Sequence, residues 1–304
     1  MKRRDFIQST ALTSAFVGLG GLSLSSFNIL ETKHLTILHT NDVHSYIDPF
    51  PPTHPKNPNM GGVARRAALI ENIRKENPNV LLLDAGDIFQ GTPYFNYYGG
   101  ELEFKLMSMM KYDLATIGNH DFDNGIEGLY NQLPNANFEF VSANYDFKNT
   151  IMNGYVKPYK IFYKDGIKVG VFGLGVGLEG LVDKKNYKET VYNDPVGISQ
   201  DMSRILKHQE KCDLVICLSH IGYKYQNEPD KICDTKLATL TRDIDLIIGG
   251  HTHTFLDKPT VLKNADGKDV LVNQVGCYGI NLGRIDFYFD NDTSKTSLGK
   301  SIVV

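Results

Sequence analysis

The sequence predicts an α/β fold: one domain with a mixed β-sheet core, helices outside it and antiparallel strands near the end. Three observations predict it. From Leu35 onward, short apolar runs of strand length alternate with amphipathic stretches. Five of those runs deliver Asp, His or Asn at their C-terminal ends, the edge of an open α/β sheet where ligands bind. Residues 261–289 alternate β-formers with Gly and Asp-Gly turns, the pattern of antiparallel strands.

Taken in order, residues 35–39 (LTILH) read as a strand that ends in Thr40-Asn41-Asp42-Val43-His44. A Pro-rich loop over 48–59 leads into a helix over 61–77. Residues 80–84 (VLLLD) are continuously apolar until Asp84, as expected for a strand covered on both faces, and run into Ala85-Gly86-Asp87. A helix near 101–110 precedes a third strand at 113–117, which runs into Gly118-Asn119-His120-Asp121. Residues 213–218 lead into Ser219-His220, and 244–248 into Gly249-Gly250-His251-Thr252-His253. With neither linker nor internal repeat, the five runs are expected on one sheet edge.

Composition narrows the function. The 304 residues are 41% hydrophobic and 22% charged, ordinary for a globular chain and against disorder. A net charge of -3 argues against binding a nucleic-acid polymer by counterion release. Four scattered cysteines make no disulfide scaffold, and Cys212 and Cys217, flanking an apolar strand, read as inert thiols. Residues 1–30 read as an export signal: Lys2-Arg3-Arg4-Asp5-Phe6 precedes a weakly apolar stretch rich in small residues. The paired Arg with a following Phe resembles the twin-arginine type, whose cargo crosses the membrane folded. Cleavage or retention as an anchor both stay open, because Ser23-Leu24-Ser25 is a poor cleavage site. The expected location is therefore the periplasm or cell envelope. No apolar run of membrane-spanning length follows residue 30, so membrane contact is expected only through this signal.

The chemistry lies in the strand ends taken together. Each cluster alone is weak: a lone Asp-x-His is usually a turn, and a lone His-x-His, with both rings on one side of an extended segment, arises often by chance. Jointly they supply Asp42, His44, Asp87, Asn119, His220, His251 and His253. Carboxylate, amide and imidazole donors without thiolate suit divalent zinc, manganese, iron or cobalt. Seven donors exceed one tetrahedral ion, whereas a bridging carboxylate can serve two ions about 3.5–4 Å apart, the spacing of two-metal phosphate-ester hydrolysis. The expected cofactors are two divalent metal ions.

These motifs also resemble a known family. Residues 35–47 (LTILHTNDVHSYI) and 112–123 (YDLATIGNHDFD) are similar to the two signatures of the 5′-nucleotidase family of metallophosphoesterases, and 84–93 and 249–253 resemble further family blocks. The likeness extends from about residue 35 to about 282. Asp121 stands where the family usually carries Glu, a departure expected to be minor.

The resemblance implies a four-layer α/β/β/α sandwich with mixed β-sheets. It implies one metal on Asp42, His44, Asp87 and His253, and a second on Asp87, Asn119, His220 and His251, with Asp87 bridging. It implies attack on phosphorus by a metal-bridging hydroxide, with His120 as a catalytic group oriented by Asp123, and with Asn119 and His120 meeting the substrate. The implied substrate is a small phosphoester, a nucleotide by family habit.

Family members carry a second, C-terminal domain that binds the nucleoside. Residues 31–304 are read as the catalytic domain alone, with that module absent and a separate polypeptide a candidate to supply it. Two alternatives stay open: a dimetal hydrolase of other phospho- or sulfate esters, and a metal-binding subunit active only with a nucleotide-binding partner. Elsewhere, Arg65-Arg66 reads as a solvated or salt-bridged helix face, and 170–180, lacking a P-loop Lys, as strand-to-loop packing away from the metal motifs. Asn144, after the run at 138–143, is a further candidate to line the site.

Overall fold

The computed structural model describes residues 32–290 and 295–304; the export signal expected at 1–30 lies outside the described residues. Fourteen strands are described: β1 (Lys33–Thr40), β2 (Val80–Asp84), β3 (Leu114–Ala115), β4 (Glu139–Phe140), β5 (Tyr145–Asp146), β6 (Tyr159–Lys164), β7 (Ile167–Gly175), β8 (Val191–Tyr192), β9 (Leu214–His220), β10 (Leu246–Ile248), β11 (Thr260–Lys263), β12 (Asp269–Asn273), β13 (Asn281–Phe289) and β14 (Lys295–Val303). They form two six-stranded sheets, ordered β14-β13-β1-β2-β3-β4 and β11-β12-β10-β9-β7-β6, and a small β5-β8 pair. Both large sheets mix parallel and antiparallel pairs.

The single sheet edge expected from the sequence is thus corrected. β1, β2 and β3 belong to one sheet, β9 and β10 to the other. Alternating side chains explain the arrangement. Leu35, Ile37, Leu81 and Leu83 pack against Val169, Leu214, Ile216 and Leu218 between the sheets. On the opposite face of the first sheet, Leu38, Val80 and Leu82 meet Ile70 and Ile73 of the helix Val63–Glu76 and Phe104 of the helix Glu101–Met109. Phe172, Val215 and Ile247 meet Leu237 of the helix Asp234–Leu240 beyond the second sheet. The four layers implied by the family resemblance are present. Each fully buried aliphatic side chain contributes about 1.5–3 kcal/mol by leaving water.

Other expectations are refined. The third strand is only two residues long, because the Asp113 carboxylate accepts the Leu82 N–H at 2.8 Å in place of a backbone rung. The tail is antiparallel in parts: β11 pairs with β12, but β12 runs parallel to β10, and β13 crosses into the first sheet between β1 and β14. The glycine-rich run at 170–180 is not remote from the metal motifs, since β7 pairs with β9 and sets Gly175 opposite His220. A Cβ on Gly175 would sit 2.1 Å from the Tyr145 ring, so only glycine admits this packing.

Arg65 is exposed as read, but Arg66 is only 2% exposed. It follows Val63 by one helical turn on the inward stripe with Ile70 and Ile73, and lines a small internal cavity with Asp84, Glu103 and Tyr112. All four cysteines are free and buried. No helix among the described residues is long and apolar enough to cross a membrane.

Candidate metal centre

The seven donor residues meet where the C-terminal ends of both sheets face each other. Asp42 and His44 follow β1, Asp87 follows β2, and Asn119 follows β3. His220 ends β9, and His251 and His253 follow β10. Five of them lie in the left-handed region: Asp42 (φ 50°), His44 (51°), Asp87 (56°), His251 (71°) and His253 (50°). Non-glycine residues seldom adopt this conformation, and it persists where surrounding bonds over-determine it.

Those bonds are present. The Tyr278 N–H donates to the Asp42 carbonyl at 2.7 Å, and the His44 N–H to the Asp87 carbonyl at 3.0 Å. The Asp121 carboxylate accepts four backbone N–H groups, from Asp87, Ile88, Phe89 and Gly118, at 2.8–3.1 Å. Asp84 accepts the Gly86 N–H at 2.9 Å and the Thr40 hydroxyl at 2.5 Å. The strand ends are therefore wired to one another through carboxylates that are not themselves donors to either cluster.

Two groups of donor atoms result, Asp42–His44–His253 and Asp87–His220–His251, each within 4.8 Å. His253 Nε2 is 3.0 Å from His44 Nε2 and 3.3 Å from Asp42 Oδ1. His220 Nε2 is 3.1 Å from Asp87 Oδ2, and His44 Nε2 is 3.8 Å from the same oxygen. Asp87 thus faces a histidine of each group. Asn119 Oδ1 lies 2.8 Å from His251 Nδ1, which brings the amide to the second group.

The donor set fits cations. Nδ1 of His44 and of His220 faces the carbonyls of Phe89 (3.2 Å) and Ala85 (2.6 Å), which can only accept. Each Nδ1 therefore carries the proton, and a neutral ring turns its Nε2 lone pair inward. His220 Nε2 is buried without a hydrogen-bond partner among the described residues and points toward carboxylate oxygens. Lone pairs and carboxylates converging in a buried space repel unless positive charge lies between them. Two divalent ions, held by these nitrogen and oxygen donors, satisfy that requirement.

Protons substitute for that charge in the protein by itself. Burial opposes a charged His220, but the Asp87 and Asp42 carboxylates outweigh it and raise its pKa to about 10. His253 likewise overcomes burial through Asp42 and rises to about 10. His251 falls to about 4, first through burial and then through the neighbouring His220 charge. Asp87, despite burial, is held well below the usual carboxylate range by His220 and His44.

His120 and Asp123 stand apart from both groups. His120 opens the short 3₁₀ helix His120–Phe122 and Asp123 follows it, with His120 Nδ1 2.7 Å from Asp123 Oδ2. The Asp123 hydrogen bond is the main cause that raises the His120 pKa. The His120 ring edges the His44 ring at a centroid distance of 5.2 Å, beside the centre but outside the donor groups. Asn144 does not line the centre. It is fully buried, and its side-chain amide pairs with Gly175 in both directions at 2.8 Å, clamping the strand end beside His220.

Sequence reasoning undervalued Asp121. Its place inside the Gly-Asn-His-Asp block was the available signal, but the four N–H groups it collects come from two separate strand ends.

Comparison with known proteins agrees with this geometry. The calcineurin-like phosphoesterase family profile matches residues 35–255. The snake venom 5′-nucleotidase of Crotalus adamanteus is 34% identical over 286 residues, covering 84% of this chain and 45% of that protein. The 5′-nucleotidase precursor of Thermus thermophilus superposes with a TM-score of 0.80 at 33% identity, over 90% of this chain and 55% of that one. The calcineurin-like phosphoesterase YfkN of Bacillus subtilis superposes with a TM-score of 0.70 at 28% identity, over 90% and 91% of the two chains. The chain spans about half the length of the curated 5′-nucleotidases it matches. With a four-layer sandwich, two donor groups at its strand ends and a family profile across most of its length, the chain belongs to the calcineurin-like phosphoesterase family.

Proposed function

We propose that this protein is an exported dinuclear-metal hydrolase of nucleotide phosphoesters, with 5′-nucleotidase-like activity. The observation that carries the reading is Asp87, whose Oδ2 faces His44 of one donor group and His220 of the other. Asp42, His44, Asp87 and His253 would hold one ion, and Asp87, Asn119, His220 and His251 the second. When bound, two divalent ions supply Lewis acidity at phosphoryl oxygens and a nucleophile from water at neutral pH.

The protein's own residues do the rest. Asn119 and His120 meet the phosphoryl group at the rim. Asp123 accepts a hydrogen bond from the Nδ1–H of His120 and keeps the ring cationic. His120 Nε2 then gives its proton to the leaving oxygen as the phosphorus–oxygen bond breaks, releasing an alcohol and phosphate. This retained pair favours catalysis over a purely metal-binding subunit. Residues 31–304 act as one catalytic domain in this reading, with residues 1–30 as its twin-arginine-type export signal. A separate nucleotide-binding polypeptide finds no support in the comparisons, and the reading does not invoke one.

The test is hydrolysis of AMP, a UDP-sugar, a cyclic nucleotide and an aryl phosphate by the metal-loaded full chain. Activity should disappear on chelation and return with manganese, zinc or cobalt. Full activity in protein shown by elemental analysis to be metal-free would sink the reading. Export is checked separately, by fractionating cells that carry Arg3→Lys with Arg4→Lys; undiminished delivery to the envelope would reject a twin-arginine signal.

A further inference from the structure

We propose that Gln274 is a positioning residue for both metal groups, holding the loop that carries His251 and His253 in the shape that lets them donate. This rests on the dinuclear-metal reading above and extends it to a side chain that is not itself a donor.

Its place follows from sheet order. β12 runs parallel to β10, so the segments that leave the two strands travel side by side. Gln274 is the first residue after β12 and Gly249 the first after β10, and the Gly249 N–H donates to the Asn273 carbonyl at 2.8 Å. Gln274 is fully buried, and both ends of its amide face the histidine loop. Nε2 donates to the Gly250 carbonyl. Oε1 accepts the Thr252 hydroxyl at 3.1 Å and the Thr254 backbone N–H. A carbonyl on one side and an N–H on the other admit only this orientation of the amide. The three contacts fall immediately before His251, between the two histidines, and immediately after His253. The Gly276 N–H adds a backbone bond to the Thr254 carbonyl at 2.9 Å.

Both histidines have left-handed backbone, a conformation that persists only where neighbouring bonds over-determine it. His251 belongs to one donor group and His253 to the other, so one amide fixes a donor of each. The same segment reaches the carboxylate of the His253 group. Asn41 Oδ1 accepts the Val275 N–H at 3.0 Å, and Asn41 Nδ2 donates to the Gly276 carbonyl and to Asp42 Oδ2, both at 2.6 Å. His44 and His220 are oriented elsewhere, by the carbonyls of Phe89 and Ala85. Gln274 therefore acts on His251 and His253 and leaves the other two rings alone.

The experiment withdraws zinc from the zinc-loaded full chain with a chromophoric chelator. Gln274→Met keeps the side-chain length and removes its donor and acceptor. Both ions should bind about 10–100-fold more weakly, the usual cost of losing a group that orients metal ligands. Thr252→Val, at a half-buried position, removes the middle contact and should weaken both ions roughly fivefold. Val272→Ala, fully buried in β12, lowers stability without touching the loop and should leave zinc affinity unchanged. Unchanged affinity in Gln274→Met overturns the assignment, as does an equal loss in Val272→Ala. If Gln274→Met does not fold, Thr252→Val decides by the same criterion. Imidazole NMR of the metal-free full chain supplies a second readout. In Gln274→Met the His251 and His253 resonances should shift well beyond those of His44 and His220, and an even shift of all four rings also overturns the assignment. If the wild type holds no pair of zinc ions, the dinuclear reading fails, while the ring resonances still decide the role of Gln274.

Discussion

Oδ1 of Asp87 accepts the backbone N–H of His120 at 2.8 Å. One carboxylate therefore turns its Oδ2 toward both histidine groups and uses its other oxygen to place the residue proposed as acid. In the proposed mechanism, metal binding and proton delivery would share a single anchor. The approach is so close that a Cβ on Gly118 would stand 2.1 Å from that Oδ1.

Asp87→Ala should lose more than any other single donor substitution. It removes the shared carboxylate and leaves two cations repelling across a short gap. Metal content per chain is the readout. Retention of two tightly bound ions would show that Asp87 is not the bridge.

His120→Ala should keep both metals while kcat falls by roughly 10²–10⁴, the contribution of a positioned acid–base group. The residue lies beside the donor groups without joining them. Loss of an ion from this variant, measured by elemental analysis, would make His120 a ligand instead.

The alkaline limb of kcat reports the same group. In the proposed mechanism the acid form of His120 is the active one, and its pKa is raised chiefly by the Asp123 hydrogen bond. Activity should persist above the ordinary histidine range and fall as pH rises through the raised pKa. Asp123→Asn removes the charge, so its limb should move to lower pH. A pH–rate profile of both proteins decides this; superimposable limbs would detach Asp123 from His120.

Asp121→Asn should destabilise the protein by about 1–3 kcal/mol, because an amide NH₂ must then face backbone donors that a carboxylate accepted. The strand ends after β2 and β3 should loosen together, weakening metal affinity with it. Thermal unfolding and metal titration are the measurements, and wild-type values in both would remove Asp121 from the scaffold of the centre.

Much of the site was legible because strand-end chemistry is local. Asp42, His44, Asp87, Asn119, His220, His251 and His253 each follow an apolar run closely enough to be assigned to its C-terminal end, and the donor types name the class of ion. The helix Val63–Glu76 and the strand Val80–Asp84 were legible for the same reason, since their periodicity lies within one segment.

What the sequence alone determined was therefore which faces are covered and which side chains stand at the strand ends. Only the tertiary structure decided what covers those faces. Apolar runs such as VLLLD require burial on both sides, but a second sheet and a helix layer satisfy that requirement equally, so periodicity left the division into two sheets open and only the family resemblance implied it. The burial of Arg66 and the four N–H bonds to Asp121 were hidden. So were the bonds from Gln274 to the loop that carries His251 and His253. Each depends on contacts between segments distant in the chain, and periodicity within a segment carries no information about its partner.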